Sequence, residues 1–447
     1  MVDRTPIANP ERLVPLAFLA AISAGTLLLS LPLARAGEPG EGAPFVIALF
    51  TATSAMCITG LNAVDTGIYW SRFGQGVILL LIQLGGLGIM SGATLLGMLI
   101  SRRMSLARRM AAQTELRSLQ LGDVTAVVKL IVGMSLVVEA VLATWLTLQF
   151  HFAYGEPWPR AAWNGVFHAV SAFNNGGFTI YPGGIAGFRF DGFVLVPLML
   201  GVILGGIGFP VVHELRIGWR VPRTWSIHTK LTLLGTAILL AVGFLGTLVA
   251  EWGNPATLGR ESLDVKLLGA AFHSVMTRSG GFNVHDIGSM NDDTILLSYA
   301  LMLIGGGSAG TAGGIKVTTF LLLGFVVWAE IKGETDTNAF RRRISPDTQR
   351  QALAIVLLAV GIVGVGSALL VSLSGLPMRD ALFETISAFA TVGLSTGVTA
   401  ELPPVAHLLL VVLMFVGRVG SITIAASLAL RTRSTPYRYP EERPIVG

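Results

Sequence analysis

The chain has 447 residues, 52% of them hydrophobic and only 13% charged, with a mean hydropathy of +0.69 and a formal net charge of +5. Soluble domains carry about 25% charged residues, so this composition excludes an ordinary globular domain and points into a membrane. The single cysteine, Cys57, excludes an internal disulfide and a thiolate zinc site. The positive balance sits in loops rather than in a patch, which argues against nucleic acid as a partner.

Taken in order, the chain divides into four quarters, each reading as an apolar span, a short segment too polar to cross, and a second span. The first quarter (12–102) has spans near 13–33 and 72–100 around a short segment at 44–62. The second (120–217) has spans near 122–150 and 191–215 around 159–179. The third (226–332) has spans near 228–250 and 294–330 around 262–283. The fourth (346–432) has spans near 348–374 and 404–430 around 378–396, and 433–447 is a tail. Arg12, the apolar run 13–33 and Ala34-Arg35-Ala36 also have the layout of a cleaved signal. Removing that segment would leave the first quarter without the span its siblings have, so it is read as a span.

Each short segment ends in one phrase. It is Ser387-Ala388-Phe389-Ala390-Thr391-Val392-Gly393-Leu394 in the fourth quarter, Ser54–Leu61 in the first, Ser171–Phe178 in the second, and a looser copy, Ser274–Phe282, in the third. Its glycines, Gly60, Gly177, Gly281 and Gly393, recur at roughly 110-residue intervals, the mark of a duplicated unit. Loops joining the quarters carry Arg102, Arg103, Arg108, Arg109 and Arg117, then Arg216, Arg220, Arg223 and Lys230, then Lys332, Arg341, Arg342, Arg343 and Arg350; the tail carries Arg431, Arg433 and Arg438. Loops inside quarters hold Glu38, Glu41, Glu156, Glu251, Glu261 and Asp264. This asymmetry places both termini in the cytoplasm and predicts eight spans, with the glycine phrases opening outward.

Non-helical backbone is tolerated at membrane depth only where it is buried or lines a water-filled path. Four re-entrant loops can surround one axis, with glycine allowing conformations other residues resist. Short helices would aim their partially negative C-termini at that axis, and rings of carbonyls replace the hydration shell of a monovalent cation. Acids are missing from the phrases, which argues against a divalent-cation pore.

These four phrases in this layout resemble the Trk/Ktr/HKT superfamily of potassium transporters, over roughly residues 12–432, and most of all its eight-span KtrB-type membrane subunits. The resemblance implies an all-α polytopic protein of four fused span–pore-loop–span repeats with pseudo-fourfold symmetry about one pore. It implies that Gly60, Gly177, Gly281 and Gly393 are K+ filter glycines, flanked by Ile58-Thr59, Asn175-Gly176, Ser279-Gly280 and Thr391-Val392. K+ would be held by filter backbone carbonyls alone, with no catalytic residue and no cofactor bound by this chain. It further implies a homodimer in a bacterial inner membrane, docked on a cytoplasmic KtrA-like ring that binds ATP or ADP, with Na+ as a possible activator. The full TVGYG filter of tetrameric potassium channels is missing, which loosens the expectation about K+ against Na+.

About 25 residues past each filter glycine lies a small-residue stretch: Gly85-Gly86-Leu87-Gly88, Gly205-Gly206-Ile207-Gly208, Gly305-Gly306-Gly307-Ser308 and Gly417-Arg418-Val419-Gly420. In three quarters, close helix packing accounts for it. The third continues through Ala309-Gly310-Thr311-Ala312-Gly313-Gly314 to Lys316, and a helix there is disfavoured by about 1 kcal/mol per glycine. An irregular loop (305–315) is expected, and by the resemblance it is a gate below the filter. A phosphate-binding P-loop does not fit, since no Gly-Lys-Ser/Thr follows. Arg418, inside a span, is expected to face a cavity or partner. It is read as an electrostatic barrier that hydrogen-bonds gate-loop carbonyls.

Asn62 and Asp65 follow Gly60 at the offsets at which Asn283 and Asp286 follow Gly281. The acids are expected diagonally across an outer mouth, bonding loop amides ahead of steering cations. Glu139 and Glu384 are lone acids in spans or short helices and are expected to find hydrogen-bond partners. The histidines show no ligand spacing. Two rival readings are a TrkH-like or Na+-preferring relative, and a secondary transporter of small solutes. The latter calls for inverted repeats, whereas these all start on one side.

Overall fold

The computed structural model describes residues 10–37, 40–103 and 124–420; Glu38, the basic residues Arg108, Arg109 and Arg117, and the tail with Arg431, Arg433 and Arg438 lie outside them. Among the described residues, four helices are long and apolar enough to cross a membrane: α4 (Arg72–Arg103), α5 (Val124–Phe152), α9 (Ile227–Glu251) and α13 (Pro346–Ser374). The bent pair α7 (Gly192–Ile207) and α8 (Phe209–Gly218) makes a fifth if taken as one span. Shorter apolar helices include α1 (Pro10–Leu29) and α15 (Pro404–Phe415). The third quarter also has α11 (Asp292–Leu303) and α12 (Val317–Lys332), and α3 (Thr66–Tyr69) is a single turn.

Local chemistry sets the ends. Ser226 and Ser345 accept hydrogen bonds from Thr229 and Thr348 amides and so cap the starts of α9 and α13. Gly333 and Gly375 close α12 and α13 in the left-handed conformation. Glu214 on α8 accepts from the amide and hydroxyl of Ser226, fixing the step between the second and third quarters. Among the described residues, the paired strands are an antiparallel two-residue pair, β1 (Asn338–Ala339) and β2 (Arg342–Arg343), in the third inter-quarter loop.

The short helices are α2 (Phe45–Met56), α6 (Trp158–Phe173), α10 (Leu263–Met276) and α14 (Met378–Phe389). Three follow a proline, Pro44, Pro157 or Pro377, whose fixed φ and missing N–H suit a chain entering a helix. All four are buried towards their C-terminal ends.

The second helices of the four quarters differ. α4 runs through Gly85 and Gly86 unbroken, whereas α7 and α8 meet at 97°. The expectation that small residues serve only helix packing therefore needs correcting in the second quarter. Gly208 has φ +98°, and Pro210 just after it brings no amide hydrogen to continue the ladder. In the third quarter residues 304–316 leave the helix, and Ile304 and Ile315 form a parallel bridge across its neck. In the fourth quarter α15 widens into a π turn over Val416–Gly420, another departure from simple packing.

One buried cluster joins the first quarter to the fourth, through Phe50 and Ala52 of α2 and Leu410 and Met414 of α15. A second joins the second, third and fourth through Leu198, Met276 and Ile386. The described chain is thereby closed on itself, with α15 packed on α2, the first short helix. Large apolar side chains such as Leu27, Val249 and Val365 point outward, exposed by 70%, 77% and 63%. An outer belt of this kind suits hydrocarbon.

A ring of glycines above a docked loop

The four glycines meet. All have left-handed φ: +88° at Gly60, +67° at Gly177, +75° at Gly281 and +92° at Gly393. A methyl group placed on any of them would strike the next quarter. On Gly60 it would lie 2.6 Å from Gly176 O, on Gly177 it would lie 2.8 Å from Gly281 Cα, and on Gly281 2.8 Å from Val392 O. On Gly393 it would overlap Thr59 O. The contacts run 60 to 177 to 281 to 393 and back to 60, a closed cycle in chain order. The carbonyl before each glycine (Thr59, Gly176, Gly280, Val392) therefore faces the adjoining quarter's glycine. Oxygen-lined and free of side chains, this ring has the chemistry to replace water around a cation.

Hydroxyls brace it from behind. Ser54 Oγ accepts from Gly60 N (3.1 Å) and donates to Leu61 O (2.8 Å). Ser387 Oγ accepts from Gly393 N (3.1 Å), and Ser171 Oγ donates to Phe178 O (2.9 Å). The third quarter departs from the register that starts its phrase at Ser274. Its left-handed residue Ser279 matches Ile58, Asn175 and Thr391, which places Val275, not Ser274, in the bracing position. Ser274 instead donates to Leu240 O at 2.8 Å.

The small-residue stretches meet the short helices directly below. A methyl group on Gly85, Gly205 or Gly417 would overlap the carbonyl oxygen of Met56, Phe173 or Phe389, the last residue of the short helix in each quarter. In the third quarter the corresponding Gly305 abuts Gly313 O of its own loop, and Arg278 Nη2 donates to Gly305 O at 2.9 Å. Arg278 was not among the residues singled out from sequence.

The loop 304–316 crosses beneath the ring. Gly307 N and Thr311 N donate to Gly206 O (2.8 Å) and Gly205 O (3.1 Å), the carbonyls freed where α7 ends at the Gly208 bend. Thr311 Oγ1 donates to Asn175 Oδ1 at 2.7 Å, and Gly313 N to Ser279 Oγ at 3.0 Å. Ala309 and Gly314 take left-handed φ of +59° and +67°. Ser308 Oγ pairs with Thr318 Oγ1 (3.2 Å), Gly310 lies against Gly206 O, and Gly306 O accepts from Val317 N. Lys316 Nζ donates to Ala312 O at 2.6 Å. Arg418, 2% exposed, donates from Nη1 to Thr391 Oγ1 at 3.4 Å. Two loop carbonyls are held by other cations, Gly305 O by Arg278 and Ala312 O by Lys316.

Above the ring is an open bowl of about 250 Å³ floored by Gly177, Gly281 and Gly393. Asn62 and Asp65 line its rim, as does Asn283. Asn62 Nδ2 donates to Gly60 O at 2.9 Å. Asp65 accepts from Gly67 N and Ile68 N in its own turn and from Gly183 N of the second quarter at 2.8 Å. Asp286 accepts from Gly288 N and Ser289 Oγ, an inward commitment to its own turn. Asn283 Nδ2 donates to His285 O. Glu384 accepts from Ser395 Oγ, Thr396 N and Thr399 Oγ1, while Glu139 accepts from Gln83 and Asn174 side chains, so both lone acids have partners.

These features define a polytopic helical membrane protein whose closed chain surrounds a carbonyl ring. A family model described as TrkH, cation transport protein, matches residues 22–435, and the chain belongs to that family, one of transporters and not of enzymes. Among curated relatives, it is 38% identical over 439 residues to a protein of Bacillus subtilis named Ktr system potassium uptake protein B, covering 98% of this chain and 97% of the relative. The Vibrio alginolyticus protein of the same name is 35% identical over 98% of this chain and 94% of its own length. The potassium/sodium uptake protein NtpJ of Enterococcus hirae is 33% identical over 98% and 97%. The crystal structure of the potassium transporter TrkH from Vibrio parahaemolyticus superposes with a TM-score of 0.72 at 18% identity, covering 96% of this chain and 86% of that one, a likeness of fold.

Proposed function

We propose that the chain is the ion-translocating membrane subunit of a Ktr-type potassium uptake system, in a bacterial inner membrane. The observation that carries this reading is the cyclic approach of four pre-glycine carbonyls, each to the adjoining quarter's glycine. K+ sheds water in the bowl and passes the filter formed by Ile58-Thr59-Gly60, Asn175-Gly176-Gly177, Ser279-Gly280-Gly281 and Thr391-Val392-Gly393. The loop 305–315, with Lys316 and Arg418, is the gate beneath. Flow is passive, drawn inward by a membrane potential that contributes about 2.3 kcal/mol per charge per 100 mV.

Four repeats, 12–102, 120–217, 226–332 and 346–432, supply eight spans and four re-entrant helices in pseudo-fourfold order. The bent and interrupted second helices count as single spans in this scheme, and cations concentrated between quarters favour cytoplasmic termini. The names of the Bacillus and Vibrio relatives support a Ktr assignment, and with it a homodimer on a cytoplasmic nucleotide-binding ring of KtrA type. ATP or ADP then acts on the ring, and Na+ on uptake. The name of the Enterococcus relative favours a second reading, a carrier of both K+ and Na+.

The test is complementation of a K+-uptake-deficient bacterium with the chain and its regulatory partner. Growth at limiting K+ that is lost with Gly393→Ser supports the reading. Failure to restore growth while the protein is present in the membrane rejects it.

A further inference from the structure

Directly beneath the glycines the filter segments form a second ring, whose side chains the filter reading leaves without a task. Ile58, Asn175, Ser279 and Thr391 hold one equivalent place, two residues before each glycine, and all four are left-handed with φ from +49° to +70°. Side chains rarely adopt this backbone, so the surrounding structure must hold it. Three of the four are polar, wholly or almost wholly buried, and tied downward. Asn175 Oδ1 accepts from Thr311 Oγ1 of the loop at 2.7 Å. Ser279 Oγ accepts from Gly313 N of the loop at 3.0 Å and donates to Thr391 O at 2.6 Å, across to the next quarter. Thr391 Oγ1 accepts from Arg418 at 3.4 Å. Ile58 alone is apolar and lies against α4 near Gly85.

One hydroxyl thus stands between the loop and the ring. With the loop docked, Ser279 Oγ has an amide donor below, and its own proton is committed to Thr391 O. When the loop leaves, that amide goes with it, and Thr311 takes its hydroxyl away from Asn175. A buried polar group left without a partner is costly, so the ring must rearrange or admit water. We propose that Ser279 and Thr311 are positioning residues that couple the loop to cation selection. Loop position sets how Thr391 O and Asn175 are held, and the cation held in the ring biases the loop in return, because coupling between two sites is reciprocal. This rests on the reading of the ring as filter and the loop as gate. The rival is a static role in which the same bonds only pin the loop.

The experiment uses the full chain reconstituted in liposomes, with Rb+ and Na+ uptake measured side by side. Hydrogen exchange of the 304–316 amides is followed in K+ and in choline. Coupling predicts that Ser279→Ala and Thr311→Val lower the Rb+:Na+ uptake ratio at least about fivefold, the low end of ordinary site-to-site coupling. Thr311→Ser, which keeps the hydroxyl, retains the ratio. Thr26→Val, whose hydroxyl serves only Ile22 O of its own helix, retains it too. In the wild type, loop exchange differs between K+ and choline, and Ser279→Ala removes that difference. Equal falls in Rb+ and Na+ uptake with an unchanged ratio overturn the proposal in favour of pinning. If both variants fail to fold, the wild-type exchange decides: loop amides indifferent to the cation overturn it, and dependence on K+ supports it. A wild type without Rb+ preference fails the filter reading itself, and the coupling with it; a selective wild type with unaltered variants fails the coupling alone.

Discussion

The guanidinium of Arg278 is 2.9 Å from the carbonyl oxygen of Gly305, and this bond holds the root of the loop against the end of a short helix. In the other quarters glycine meets the last carbonyl of the short helix directly. Arg278→Met keeps an unbranched apolar stem and deletes the donor. Leaving a buried carbonyl unsatisfied costs about 1–3 kcal/mol, so the unfolding midpoint in detergent should fall accordingly. Proteolysis or hydrogen exchange at 304–316 should rise more than elsewhere. An unchanged loop would show that the arginine is incidental.

Gly393→Ala tests the ring. Alanine in the left-handed conformation costs about 1–2 kcal/mol, and its methyl would overlap Thr59 O of the first quarter. Cation uptake should fall at least tenfold, with the protein still inserted. Gly361, whose added methyl would meet no atom within 4 Å, supplies the control, and Gly361→Ala should transport normally.

Arg418→Ala removes a positive charge buried beneath the ring. At an effective dielectric near 20, a unit charge about 8 Å from a cation repels it by roughly 2 kcal/mol. Uptake through the variant should therefore rise several-fold, with Arg418→Lys closer to the wild type. Unaltered flux in Arg418→Ala would remove the arginine from the path.

The outer acids are expected to act as struts. Asp65 ties the turn after its own glycine phrase to Gly183 of the second quarter. Asp65→Ala should lower stability by about 1 kcal/mol, the usual loss for a capping carboxylate. If Asp65 instead steers cations, uptake by the variant should fall mainly at low ionic strength. A stability loss without that salt dependence supports the strut.

Much of this was legible in the sequence because glycine and apolar run length carry strong local physics. The helices at 45–56, 158–173, 263–276 and 378–389 lie in the four segments that composition marks as too short and polar to span. The stretch 304–316 leaves the helix where a run of glycines makes a helix unfavourable. What escaped the sequence depended on register and tertiary partners. Ser274 resembled its counterparts in type, but only the left-handed Ser279 shows that Val275 holds the bracing place. Arg278 gave a signal that could have been read, a cation inside a buried phrase. The bend at Gly208 was hidden because Gly205-Gly206-Ile207-Gly208 looks like Gly85-Gly86-Leu87-Gly88, and only the second is followed by an unbroken helix. Pro210 was the available clue.

Rubidium uptake into liposomes holding the purified chain, driven by an inside-negative potential and competed with K+ or Na+, tests the central claim most directly. A four-quarter carbonyl filter predicts potential-driven uptake that K+ suppresses at concentrations at least tenfold below those needed of Na+, and that Gly393→Ser abolishes. Uptake that K+ and Na+ suppress alike, or that persists in Gly393→Ser, would contradict it.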